Sequence, residues 1–276
     1  MKHTLTFLSL LIVGELTTSL SKAGDPIPAL PSSVGPYTLF NPTPRDQWRD
    51  LSPDRPDMTE SPITVDAGAW VVEASYFDWT RDRRDDTYTA MATNLKVGLT
   101  DRIDFQTVFD AYTWENPAGG AAAEDFSDIT LRLKYNLWGN DGGASAFALF
   151  PYVKIPTDTA LSNGEFEGGL MLPFSMDLTE GIGLGLMAQI DAVHDGLDGY
   201  HLGFLHSAVL GFDVTEQFGV YTEYFGIAGP GTYEPYFSVG ATYWLSKDLV
   251  FDTGGRIGLN DAAEDIGVFS GFTKRF

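Results

Sequence analysis

In "DITLRLKYNL", residues 128 to 137, Ile129, Leu131, Leu133, Tyr135 and Leu137 take every second position, and Asp128, Thr130, Arg132, Lys134 and Asn136 fill the gaps. Successive side chains of an extended chain point to opposite faces, so this stretch reads as a strand with one apolar and one charged surface. Segments of the same kind fall near 69–79, 88–99, 103–114, 126–137, 144–155, 165–176, 182–192, 200–212, 217–226, 234–245, 249–259 and 266–276. That makes about twelve strands, most of them near the ~9–11 residues a strand needs to cross a bilayer at a tilt.

Alternation alone does not separate a membrane barrel from a soluble sandwich, because both expose one face and bury the other differently. Connection lengths favour the barrel. "TDR", "DLTE", "DVTE" and "SKD" are tight turns, and "WGNDGG" is somewhat longer; they alternate with "RDRRDDT", "ENPAGGAAAED", "PTDTALSNG", "VHDGLDG", "GIAGPGTYE" and "NDAAED". Short turns at one end and longer loops at the other predict an up-and-down antiparallel transmembrane β-barrel. Trp70, Trp79, Trp114, Trp138 and Trp244 lie near strand ends, where interfacial girdles form.

Ahead of the strands the character of the chain changes. "MKHTLTFLSLLIVGELTTSLSKAGD" has Lys2, an apolar run from Leu5 to Val13 and a Ser21-Lys22-Ala23 site, which predicts a signal peptide over residues 1–23 and export. Residues 24–67 then hold nine of the 15 prolines. Proline lacks an amide donor, so this segment is expected to stay extended and outside the sheet, in the periplasm or the lumen, before a barrel over 68–276. A chain with no cysteine has no disulfide framework and no thiolate chemistry. A formal net charge of −21 disfavours nucleic acid as a partner.

"SPDRPDMTESPITVDAGAWVVEAS", "VGLTDRIDFQ" and "DITLRLKYNLWGNDGGASAFALFPYVKIPT" together resemble the family called putative MetA-pathway of phenol degradation, over roughly residues 52–276. The resemblance implies an exported outer-membrane barrel of transporter type. The pathway name points to small aromatic solutes, whereas mixed charges in a lumen would suit polar ones as well. The last strand, ending in Phe276, resembles the C-terminal strand that barrel-assembly machinery recognises, with Lys274 standing where an apolar residue is usual.

If "DITLRLKYNL" and the last strand set the phase of the sheet, the lumen carries Glu73, Lys96, Asp104, Gln106, Asp110, Asp128, Arg132, Lys134, Lys154, Glu165, Glu167, Gln189, Asp191, Glu223, Asp252 and Arg256. Such a lumen is either a solute path with a transverse field or a plug of structural ion pairs. The motif Asp54-Arg55-Pro56-Asp57, with Glu60, is expected to fold back into the mouth as a lid; the alternative is a plain leader whose prolines prevent edge pairing. His206 and Ser207 are adjacent and so face opposite sides, which removes a hydrolase pair. His194, Asp195, Asp198 and His201 lie in a Gly-Asp-rich loop that reads as a turn rather than a metal site. The expectation is a non-enzymatic channel in the bacterial outer membrane for passive passage of small solutes, with lipid and solute as partners and no cofactor or metal. Its alternative is a structural or surface-interaction barrel with a blocked lumen.

Overall fold

The computed structural model describes residues 37–196 and 199–276, so the expected signal peptide, the first part of the Pro-rich segment and Asp198 lie outside the described residues. The sheet is built from β1 (Trp70–Asp82), β2 (Asp85–Thr100), β3 (Ile103–Asn116), β4 (Ala123–Asp125), β5 (Ile129–Trp138), β6 (Ser145–Ile155), β7 (Glu167–Thr179), β8 (Ile182–His194), β9 (Tyr200–Asp213), β10 (Phe218–Gly229), β11 (Thr232–Ser246), β12 (Leu249–Gly258) and β13 (Ile266–Arg275). β4 is a short addition to the far end of β3. The other twelve run antiparallel, each beside its sequence neighbours, and β1 pairs with β13, so the sheet closes into an up-and-down barrel. Closure leaves the twelve long strands no free edge, as a sheet in lipid requires.

The outer surface is apolar where a soluble protein would be polar. Leu95, Leu133, Leu170, Leu186, Ile190, Phe204, Phe237, Val239 and Ile257 are all exposed, and they form the band that meets lipid. Trp70 and Trp138 are exposed at one end; Trp114 lies against exposed Tyr88 in a tilted ring contact toward the other. Trp244 departs from the expected girdle, because it lines the interior between the outward Tyr243 and Leu245.

Two of the expected long loops are strand. Polar residues continue the ladder beyond the bilayer, so "RDRRDDT" shrinks to a two-residue turn at Arg83-Arg84, with Arg83 at φ 55°, and "GIAGPGTYE" to Pro230-Gly231, with Gly231 at φ 78°. The connections 117–128, 156–166 and 259–265 remain long, all at this loop end. A register shift between Ser75 and Phe77 breaks the simple alternation of β1 and turns both Tyr76 and Phe77 outward.

Replacing Leu133, 40% exposed on the lipid face, by Arg is expected to cost roughly 2–4 kcal/mol and to impair assembly. Thr130→Arg on the lumen face of the same strand should be milder. Loss of heat-modifiable mobility in a detergent gel measures the difference.

Candidate functional site

The described part of the Pro-rich segment, from residue 37 on, enters the barrel at the turn end and reaches about half its depth. Pro53, Pro56 and Pro62 cannot donate to a sheet ladder, so the chain satisfies its remaining backbone groups on side chains of the wall. Amides of Met58 and Thr59 donate to the Glu223 carboxylate of β10 at 2.9 and 2.8 Å. The Asp54 amide donates to Glu73 on β1 (2.9 Å), Val65 to Asp104 on β3 (3.0 Å) and Thr64 to Asn140 (2.9 Å). Asn136 of β5 donates to the Pro62 carbonyl at 2.9 Å.

Side chains of the motif supply the ion pairs. Asp54 sits between Lys134 Nζ, 2.7 Å away, and Lys96 Nζ, and Lys96 also reaches Glu73 at 2.6 Å. Burial alone would raise the Asp54 carboxyl, but the two ammonium groups outweigh it and hold Asp54 well below the usual carboxylate range. Arg55 forks onto Asp252 at 2.7 and 3.1 Å and donates to Ser75 at 2.8 Å. Glu60 pairs with Arg132 at 2.6 Å through one oxygen, while its Oε2 has no protein partner. Burial therefore prevails at Glu60 and pushes its carboxyl up to about 7. Thr59 completes the insert with hydroxyl bonds to Glu223 (2.7 Å) and Ser207 (2.6 Å). At the mouth, Arg275 bridges Asp248 (2.7 Å) and Asp66 (3.4 Å) and stacks on Trp48, while Arg49 also holds Asp66 at 2.7 Å.

The expected lumen residues therefore fall into groups. Glu73, Lys96, Asp104, Gln106, Arg132, Lys134, Glu223 and Asp252 all touch the inserted segment or its ion-pair network. Asp191 accepts from Tyr152 Oη and, at 2.9 Å, from Gln189, above the insert. Arg256 reaches Asp78 at 3.6 Å and Glu264 at 3.3 Å near the loop end. Lys154 holds Asp128 at 3.1 Å and Glu167 at 2.8 Å. Asp110 is half-buried on β3, next to Ser127. Two assignments need correction: Asp128 precedes β5, and Glu165 precedes β7 with its side chain 45% exposed, so both belong to the rim rather than to a strand's inner face. Both lie in connections just ahead of a strand, where alternation no longer fixes a face, which is why period two misplaced them.

The lumen face is not all charged, and an apolar wall begins directly beside Lys134, whose Nζ lies 4.8 Å from the centre of the Phe150 ring. Phe150 of β6, Met171 of β7, Met187 of β8 and Leu205 of β9 form a buried apolar cluster inside the barrel, adjoined by Ile227; Phe225 and Tyr236 stack beside it at 4.7 Å between centroids. Below this layer the same wall carries Gly183, Gly185, Gly211 and Gly219. Two neighbouring cavities lie there between wall and insert, of about 780 Å³ at the mouth and about 310 Å³ farther along. Ser207 points inward to Thr59 and His206 outward to Tyr233 Oη at 3.0 Å, so they do not meet. Among the described residues, no three His, Asp or Glu groups are placed to hold a metal.

A closed twelve-strand barrel with an apolar outer belt, and with part of its own chain inside, defines a transmembrane β-barrel of the outer-membrane kind. The chain belongs to the family described as Putative MetA-pathway of phenol degradation, whose model matches residues 53–276. That match begins within the inserted segment and takes in the whole motif. Among solved structures the fold is similar to the KdgM porin in complex with disordered oligogalacturonate (TM-score 0.52, 8% identity) and to the KdgM porin alone (0.51, 9%); each comparison covers 75% of this chain and 99% of the other. An anion-selective porin from Comamonas acidovorans matches more loosely, at TM-score 0.41 and 10% identity, with 75% of this chain and 98% of that one covered. No curated protein matches the sequence.

Proposed function

We propose that the protein is an outer-membrane channel for passive passage of small solutes, aromatic compounds among them, with the inserted segment acting as a lid on the periplasmic side. The observation that carries this reading is the space left between insert and wall, about 780 Å³ at the turn end with a second cavity of about 310 Å³ beside it. An eight-strand barrel is filled by its own side chains, and twelve strands enclose more than side chains fill. The family's association with phenol degradation and the porin fold support the same reading. The mature chain reaches its membrane after signal-peptide removal, with the strand that ends at Phe276 presented to the assembly machinery. The chemistry is transport rather than catalysis, and no cofactor is required.

The blocked-barrel reading has one observation in its favour: Phe150, Met171, Met187 and Leu205 are between 0 and 7% exposed, so the mid-depth layer is closed in the lidded state. Planar-bilayer recording of the purified barrel, with liposome swelling in neutral phenols, aromatic acids and sugars, decides between them. Channel activity predicts discrete conductance steps and faster swelling in phenols than in sugars of similar size. No conductance with or without the lid would put the blocked barrel first.

A further inference from the structure

The cavity of about 310 Å³ has a composition that the lid hypothesis alone does not use. One wall is strand backbone: Gly183 and Gly211 are cross-strand partners, and a Cβ built on either meets nothing within 4 Å. Gly185 and Gly219 extend this side-chain-free surface. The facing wall is supplied by the inserted segment, through Pro53 and Pro56. Tyr221 and Trp244 border the space, and Val209 and Val250 add apolar surface. A flat backbone surface opposite proline rings leaves a slot, and its volume stands near the lower end of the range for ligand sites. A single planar ring fits such a slot better than a branched or hydrated sugar.

Charge at the slot separates aromatic solutes from one another. Asp57, Asp177 and Asp213 line it with no matching number of cations. Arg55 is the cationic lining residue, and its guanidinium is already committed to Asp252 and Ser75. Burial and the nearby Glu223 push the Asp57 carboxyl up, so an aromatic carboxylate entering here would face the Asp177 and Asp213 carboxylates and no unengaged base, whereas a phenol keeps its ring in apolar contact and can donate its hydroxyl to a carboxylate. We infer that the space between the glycine wall and the Pro53–Asp57 turn is a binding site for neutral or cationic monoaromatic molecules that excludes aromatic anions. The inserted segment is then half of a binding site as well as a lid. This inference rests on the channel reading, since a site inside the lumen serves a solute in passage.

The test measures binding without transport. The full chain, purified in detergent with its N-terminal segment in place, is titrated with phenol, tyramine and benzoate by ligand-observed NMR. Gly211→Leu is the variant: its side chain would project into open space and fill the slot, and leucine suits a strand better than glycine does. Phenol and tyramine should bind the wild type at least about tenfold more tightly than benzoate does, the ratio expected from unneutralised like charge. Gly211→Leu should lose that binding while keeping heat-modifiable mobility. Partition into the micelle is common to both proteins and cancels in the comparison. Equal binding of benzoate, unchanged phenol binding in Gly211→Leu, or no binding of any probe would each overturn the site. A protein that binds phenol but conducts nothing would instead sink the channel reading and leave the site standing.

Discussion

Deleting residues 24–62 is expected to leave the barrel assembled and to raise its single-channel conductance severalfold. The sheet closes through β1 and β13 by its own ladder, from Val71 opposite Arg275 to Arg81 opposite Ile266, and none of those pairs needs the inserted segment. What the deletion removes is the occupant of the mouth half of the lumen, including Asp54, Arg55, Thr59 and Glu60. Lys96, Lys134 and Glu223 then regain water, so their unpaired charge costs less than it would in a dry core. Discrimination between phenols and sugars should weaken together with the rise in current, because Pro53 and Pro56 leave with the segment. High salt should narrow the gap between the two forms: mouth contacts such as Arg49 with the exposed Asp141, 3.6 Å apart, are screened, while the strand ladder is not. Single-channel recording of both forms in low and high salt measures this. Identical conductance in the two forms would reduce the segment to a leader.

How far the sequence leads depends on which physical signal each residue carries. All twelve long strands are legible as extended segments between turns, most clearly where lipid on one side and water or ions on the other impose alternation, as in β5 from Ile129 to Trp138. Phase then places Glu73, Lys96, Asp104, Lys134, Glu223 and Asp252 inside the barrel. The apolar half of the lumen is not legible in the same way. β6 reads "SAFALFPYVKI", apolar on both faces, so inward Ala146, Ala148 and Phe150 cannot be told from outward Phe147 and Leu149 by period. Glycines add no hydrophobic signal at all, so the wall of Gly183, Gly185 and Gly211 appears only once the strands are paired. The depth of the insert has a further cause. Proline says where the chain cannot pair, and the destination is set by carboxylates and lysines that lie far apart in sequence, as with Asp54 and Lys134.

Asp54→Asn should release the insert, whereas Glu60→Gln should leave it docked. The Asp54 carboxylate is used through both oxygens: Oδ1 takes Lys134 at 2.7 Å and the Ser61 amide at 3.0 Å, and Oδ2 takes Lys96. An amide of the same volume keeps the shape and loses the charge. The one amide oxygen can still accept from Lys134 and the Ser61 amide, but the Nδ2 amino group then faces Lys96, donor against donor, and Lys96 would depend on Glu73 alone. Breaking a buried pair costs roughly 3–5 kcal/mol, and rehydration of the lysines once the segment leaves favours the lower figure. About 3 kcal/mol is a shift of roughly 100-fold toward the undocked state. Glu60 differs because its Oε2 has no protein partner and Arg132 can still bond to an amide oxygen at the same place. Hydrogen exchange reads the outcome directly, since the Met58 and Thr59 amides are protected by Glu223 only while the segment is inside. Their exchange should quicken by about two orders of magnitude in Asp54→Asn, by the same estimate, and change little in Glu60→Gln. Wild-type protection in Asp54→Asn would mean that backbone bonds to Glu223 and Asp104 hold the insert without the lysine bridge, and that the charges in "DRPDMTESP" choose its register rather than its docking.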